Sequence, residues 1–153
     1  MSGSAEILIV DDAPGDARLL AYAFAEAGAG NARILAGGRE ALAYLDGCVA
    51  AGTPQPSLVI LDYTMPGMRG VDILRTLKLN PRFQNLITVL YTGGVPPGTS
   101  QQCLDLGAKA VLVKPLSDAE RHAIVAKILA LRSRIRQEES QRFGSDDRTD
   151  ALA

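Results

Sequence analysis

The chain predicts an α/β fold, a doubly wound parallel sheet of five strands with helices on both faces. Three observations lead there. Five short apolar runs recur along the sequence. They are nearly continuous instead of alternating, as strands are when both sheet faces are covered. Between them lie segments with helical spacing, so the order reads βαβαβαβαβα, joined by right-handed crossovers.

The elements follow in order. EILIV at 6–10 is the first strand, and a helix over 18–27 carries Leu19, Leu20, Ala23 and Phe24 on one side before Gly28 stops it. ARILA at 32–36 is the second strand; a helix over 39–46 presents Ala41, Leu42 and Leu45, and a flexible loop, GCVAAGTPQP, follows at 47–56. SLVIL at 57–61 precedes a helix over 71–79 bearing Val71, Leu74, Leu77 and Lys78, which ends ahead of Pro81. LITVLY at 86–91, a helix over 100–106 stopped at Gly107, and AVLV at 110–113 come next. The last helix starts at Asp118 with Ser117 as its cap. One domain over 5–135 is expected, with this helix continuing to about 143 and a fraying polar tail over 144–153.

At 153 residues the chain fits one compact domain, and 47% hydrophobic against 22% charged residues is ordinary globular usage. Sixteen basic against seventeen acidic residues give a net charge of −1, which removes the electrostatic argument for nonspecific nucleic-acid or membrane-surface binding. No apolar run approaches a bilayer span, and MSGSAEILIVDD lacks the basic start of a signal peptide. Cys48 and Cys103 lack metal-site or redox spacing, so a reduced, cytoplasmic setting is expected. Tyr22, Phe24, Tyr44 and Phe83 read as core or half-core packing, and the sole histidine, His122, as a surface residue.

In such sheets ligands bind outside the carboxyl ends of the strands. There stand Asp11 and Asp12 after the first strand, Asp62 after the third, Thr92 after the fourth and Lys114-Pro115 after the fifth. Three converging carboxylates repel one another unless a cation neutralises them. Hard oxygen ligands with open water positions suit Mg²⁺. A carboxylate beside such an ion is also a competent nucleophile towards a phosphoryl group, with lysine and threonine donating to its oxygens.

This constellation resembles the receiver domain of two-component response regulators. The residues that carry the resemblance are Asp11-Asp12, the DYTMPGMRG run around Asp62, Thr92 after LITVLY, and Lys114-Pro115 after AVLV; it spans roughly 6 to 130. It implies a flavodoxin-like (βα)5 fold with strand order 2-1-3-4-5. It implies Asp62 as phosphoacceptor, with Mg²⁺ held by Asp12 directly, Asp11 partly through water, Asp62 and the backbone carbonyl of Thr64. Lys114 would pair with the phosphoryl group or, before its arrival, with Asp62, and Thr92 would swing its hydroxyl towards a phosphoryl oxygen. Pro66 and Gly67 would shape the turn after the acceptor, and Pro115 would follow an often cis peptide bond. The partner implied is a sensor histidine kinase. Among receivers the sequence looks most like single-domain regulators that partner bacterial phytochrome kinases, through DDAPGDARLL, the long loop before SLVILD, LNPRFQNLITVLYTG and the prolonged last helix.

Two departures matter. Val111 stands where receivers often carry a Tyr or Phe coupled to the threonine, so a readout would run through the backbone or another side chain. Neither Thr64 nor Gly94, at positions that influence phosphoryl lifetime in the family, is acidic or amidic. The function expected is a stand-alone, phosphorylation-controlled binding module, not an enzyme. An interaction module that is never phosphorylated and a relay that passes the phosphoryl group on stay open as alternatives. A phosphatase with an aspartyl nucleophile would want a second acid two residues on, where Thr64 stands. In the last helix Ile124, Ile128, Leu131 and Ile135 form one file and Val125 and Leu129 a second. Both files can belong to one broad core-facing stripe. The sharper expectation is a homodimer seam through Ile128, Leu131 and Ile135 with adjacent elements.

Overall fold

The computed structural model describes residues 6–152, with side chains to 142; residues 1–5, where the predicted domain begins, and residue 153 lie outside the described residues. The strands are β1 (Ile7–Val10), β2 (Ala32–Leu35), β3 (Leu58–Leu61), β4 (Ile87–Thr92) and β5 (Ala110–Val113). The helices are α1 (Pro14–Glu26), α2 (Gly38–Ala51), α3 (Gly70–Leu79), α4 (Thr99–Asp105) and α5 (Asp118–Leu152), with a 3-10 turn at Pro81–Phe83. All neighbours pair in parallel in the order β2-β1-β3-β4-β5, as the resemblance implied. The order reverses between β1 and β3, which opens a crevice at their carboxyl ends.

Alternate side chains of each strand feed two cores. On one face Leu8, Val10, Val59, Leu61 and Leu90 meet α2, α3 and α4 through Ala41, Leu45, Ile73, Leu77 and Cys103. On the other, Ile7, Ile9, Leu58, Ile60 and Val89 meet α1 and α5 through Leu20, Phe24, Val125 and Ile128. Every residue of β1, β3 and β4 is buried, whereas the edge strands β2 and β5 are half open.

Several expectations change. Helix α1 begins at Pro14, whose missing N–H costs nothing in a first turn. Its buried stripe is Ala17, Leu20, Ala23 and Phe24, so Leu19 is 46% exposed and Tyr22, expected as core or half-core packing, is 64% exposed. Helix α2 takes up the first half of the predicted loop, ending at Ala51 with Gly52 as its cap; Gly52 has φ +69°, a left-handed geometry suited to glycine. Cys48 is therefore a buried helical residue. No cis peptide bond occurs among the described residues, so Lys114–Pro115 is trans, the isomer intrinsically preferred by about 0.5–1 kcal/mol. The backbone of α5 continues past the end predicted near 143. Gly144 alone does not break it, since glycine costs only about 1 kcal/mol inside a helix.

Helix α5 also decides between the two readings of its apolar files. Val125 and Ile128 are 1% exposed, and Ile124, Leu129, Leu131 and Ile135 pack half-buried against the same core. The files form one broad core-facing stripe. Ile128 is consumed by its own domain and has no surface to offer a second copy.

Past the sheet, polar contacts carry on where this stripe runs out. Glu6 Oε1 accepts from Arg132 Nη1 at 3.2 Å and Arg136 Nη2 at 2.8 Å, and Arg132 also donates to Ser57 Oγ at 2.9 Å. Burial alone would raise the Glu6 carboxyl. Its hydrogen bonds from Ser57 and Arg136, with the charges of both arginines, win and hold it below the usual 4.5. A lowered carboxyl contributes stability above its unfolded pKa and loses it as pH falls through the folded one. With the side chain 41% exposed, screening keeps the effect small. We expect Glu6→Gln to cost about 0.5–1 kcal/mol at pH 7 in urea unfolding. The gap from wild type should close as pH drops below 4.5; a gap that widens in acid would contradict the assignment.

Candidate functional site

Strand register gathers the site. Val10 pairs with Leu61 and Thr92 with Val113, so the residues that leave β1, β3 and β5 emerge at one edge of the sheet. The backbone continues that ladder for one more rung. Asp62 N–H donates to Val10 O at 2.9 Å, and Lys114 N–H to Thr92 O at 2.8 Å. Asp11, Asp62 and Thr92 are buried, Lys114 keeps 15% of its side chain exposed, and Asp12 faces solvent. One carboxylate oxygen from each of Asp11, Asp12 and Asp62 lies within 4.8 Å of the others. The predicted residues therefore come together.

Lys114 Nζ sits among carboxylates, 2.8 Å from Asp11 Oδ2, 3.2 Å from Asp62 Oδ2 and 3.1 Å from Asp16 Oδ2. Asp16 was not singled out in the sequence. It lies in the first turn of α1, two residues after Pro14, where acidic side chains are favoured. That helix start was the available signal, and placing it at residue 18 hid it. Burial would depress the Lys114 ammonium, but the hydrogen bonds it donates to Asp11 and Asp16 and the charges of Asp11 and Asp62 push it well above the usual lysine value. Asp11 moves up as well. Burial raises it, the nearby Asp62 charge adds to that, and the bonds from Lys114 and the Ala13 N–H only partly offset both. The two shifts agree physically: one ammonium is well satisfied by several carboxylates, while Asp11, buried beside Asp62, is not satisfied by its share of that ammonium. A raised carboxyl pKa makes stability fall as pH climbs from the unfolded value towards the folded one.

The turn after β3 fixes Asp62. Its Oδ1 accepts the Thr64 N–H at 3.2 Å, Gly67 adopts φ +83°, and the Gly70 N–H reaches Tyr63 O at 2.9 Å. Helix α3 starts so near the sheet that a Cβ on Gly70 would lie 2.6 Å from Asp62 O and 3.0 Å from Tyr63 Cα. Thr92 Oγ1 is held only by a long contact to Gly94 O, 3.5 Å, so its hydroxyl is free to turn. Val111 is half-buried against the α2–α4 core. Tyr91, the residue before Thr92, is buried on the opposite face among α1 and α5. His122 is exposed as expected, bridging Asp118 O at 2.7 Å and Glu26 at 2.9 Å, and takes no part.

A family model for the response regulator receiver domain matches residues 7–126. The chain belongs to that family, whose members are signalling modules. It is 34% identical over 128 residues to the response regulator PleD of Caulobacter vibrioides, which covers 82% of this chain but only 26% of PleD. The chain thus spans about a quarter of that relative. Among solved structures, the Mn(2+)-bound response regulator Rcp1 superposes with TM-score 0.71 at 25% identity, covering 81% of this chain and 91% of that one. The phosphorylated cyanobacterial phytochrome response regulator RcpA shares the fold, with TM-score 0.72 at 24% identity over 82% of this chain and 91% of its own. No described helix is long and apolar enough to cross a membrane.

Gly70→Ala places a methyl against the Asp62 carbonyl, and backbone cannot step aside as a flexible side chain could. We expect a loss of about 1–3 kcal/mol in urea unfolding. An unchanged midpoint would show that the approach of α3 to β3 is not close.

Proposed function

We propose that this receiver takes a phosphoryl group from a sensor histidine kinase onto Asp62 and signals through protein contacts. The observation that carries the reading is the position of Asp62. It is buried, one oxygen accepts the Thr64 N–H, and the other lies 3.2 Å from the Lys114 ammonium at the open edge of the sheet. The carboxylate would form the new O–P bond as the P–N bond of a phosphohistidine breaks, its leaving nitrogen retaining the electron pair. Lys114 would then exchange a carboxylate partner for a phosphoryl oxygen, and Thr92 would turn its hydroxyl to another. The excess of carboxylates over ammonium fits a divalent cation. Asp11, Asp12, Asp62 and the Thr64 carbonyl would hold Mg²⁺, which when bound neutralises them and the incoming phosphoryl oxygens. That Rcp1 is described with Mn(2+) and RcpA as phosphorylated supports this reading, and RcpA agrees with a phytochrome as the kinase class.

Incubation with acetyl phosphate and Mg²⁺ should add one phosphoryl mass to the wild type and none to Asp62→Asn. Asp12→Ala should abolish Mg²⁺ binding in a calorimetric titration while leaving the metal-free fold as stable or more so. Phosphorylation of Asp62→Asn, or unchanged Mg²⁺ affinity in Asp12→Ala, would overturn the site.

A homodimer remains part of the proposal, with its surface redrawn. Leu131 and Ile135 retain only their outer sides, but Val113 on the edge strand is 65% exposed and Leu116, just beyond it, 97%. Val113 and Leu116, exposed apolar side chains at and just past the end of β5, form the surface that a two-fold partner would bury. Sedimentation at micromolar concentration should show a dimer for the wild type and a monomer for Val113→Glu, Leu116→Glu, surface changes that spare the core. A monomeric wild type rejects the dimer.

A further inference from the structure

We propose that the receiver carries a second binding site, for a small amphipathic carboxylate with one aromatic ring or a short apolar chain, at the sheet edge opposite the aspartates. A cavity of about 320 Å³ opens there, between the end of α3, the 3-10 turn, the start of β4 and the end of α4. That volume is at the small end of the range for ligand pockets. Its apolar lining comes from Leu74, Leu77, Phe83, Leu86 and Leu106.

Two features distinguish it from an ordinary surface groove. Thr88 lines it and is 4% exposed, and its hydroxyl makes no hydrogen bond among the described residues. Open to the cavity, that hydroxyl is left to water or to an acceptor on a ligand. Lys78 and Lys109 also line it, and both are exposed. Lys78 Nζ gives one donor to Asp105 O at 3.0 Å, and the Lys109 ammonium makes no hydrogen bond or ion pair among the described residues. The Lys109 N–H donates to Thr88 O at 2.8 Å, so this cationic side chain springs from the residue paired with Thr88. The carboxyl of Asp105 is engaged by Gln101 Nε2 at 2.8 Å. Apolar walls, one unmet hydroxyl and two ammonium groups together select an apolar body with an anionic end. A carboxylate accepts from Thr88 and pairs with the lysines, and its apolar part takes the place of water against the leucines and Phe83.

The site is independent of phosphorylation at Asp62, so each proposal can fail alone. Two-dimensional amide NMR of the full chain, titrated with phenylacetate and separately with phenylacetamide, tests it. Phenylacetate at up to about 10 mM should give saturable shifts at the Leu77, Leu86, Thr88 and Gly107 amides. The neutral amide should bind at least about fivefold more weakly. Lys109→Gln, an exposed change that does not threaten the fold, should weaken phenylacetate several-fold and leave phenylacetamide unchanged. Thr88→Val, of the same shape, should weaken the acid too. Absence of saturable shifts, shifts centred elsewhere, or equal affinity for acid and amide would each overturn the proposal.

Discussion

One ammonium shared by three carboxylates is the interaction on which the upper edge of this domain depends. Lys114 reaches Asp11, Asp16 and Asp62 at 2.8, 3.1 and 3.2 Å, and Asp12 adds a further acid within the same cluster. The edge is left with net negative charge, part of it out of water, where charge is most expensive. Lysine held so firmly and Asp11 held so poorly are two consequences of the same imbalance. A site built this way favours the arrival of a cation, and then of a phosphoryl group that gives the lysine a new partner.

The scaffold makes this imbalance tolerable. Beneath the acids, β1, β3 and β4 are buried on both faces, and the backbone ladder extends one residue past the strands to hold Asp11, Asp62 and Lys114 by their amides. Gly70 lets α3 begin against the Asp62 carbonyl, which fixes the turn on the other side. Thr92, on its long contact to Gly94, and the exposed Asp12 are loosely held. The buried acids and the lysine are fixed, while a hydroxyl and one outer carboxylate are left to respond to a ligand.

The opposite edge is organised differently. There Glu6 and Ser57 take hold of Arg132 and Arg136 and so bind α5 to the start of β1 and β3. Farther along, between α3 and α4, the edge is not closed, and Thr88 is left with a hydroxyl facing the cavity. With Val111 in place of an aromatic, the α2–α4 face has no ring at that position of β5, while Tyr91 fills the α1–α5 face beside Thr92.

The sequence by itself determined the alternation of strands and helices, because near-continuous apolar runs and helical spacing are local patterns. It also determined which acids stand at strand ends, and with them Asp11, Asp12, Asp62, Thr92 and Lys114 as one constellation. What it left to the tertiary structure were quantities that depend on distant neighbours. Cys48 looks like a loop residue until α2 continues to Ala51, and Tyr22 looks like core or half-core until α1 is seen to bury only the face of Ala17, Leu20, Ala23 and Phe24. Ile128 suits a seam between copies until the sheet is seen to cover it. Asp16 is separated from Lys114 by 98 residues, and no local pattern reports a contact made only when β1, α1 and β5 meet. Local periodicity fixes which element a residue joins; burial and pairing depend on what the rest of the chain places against it.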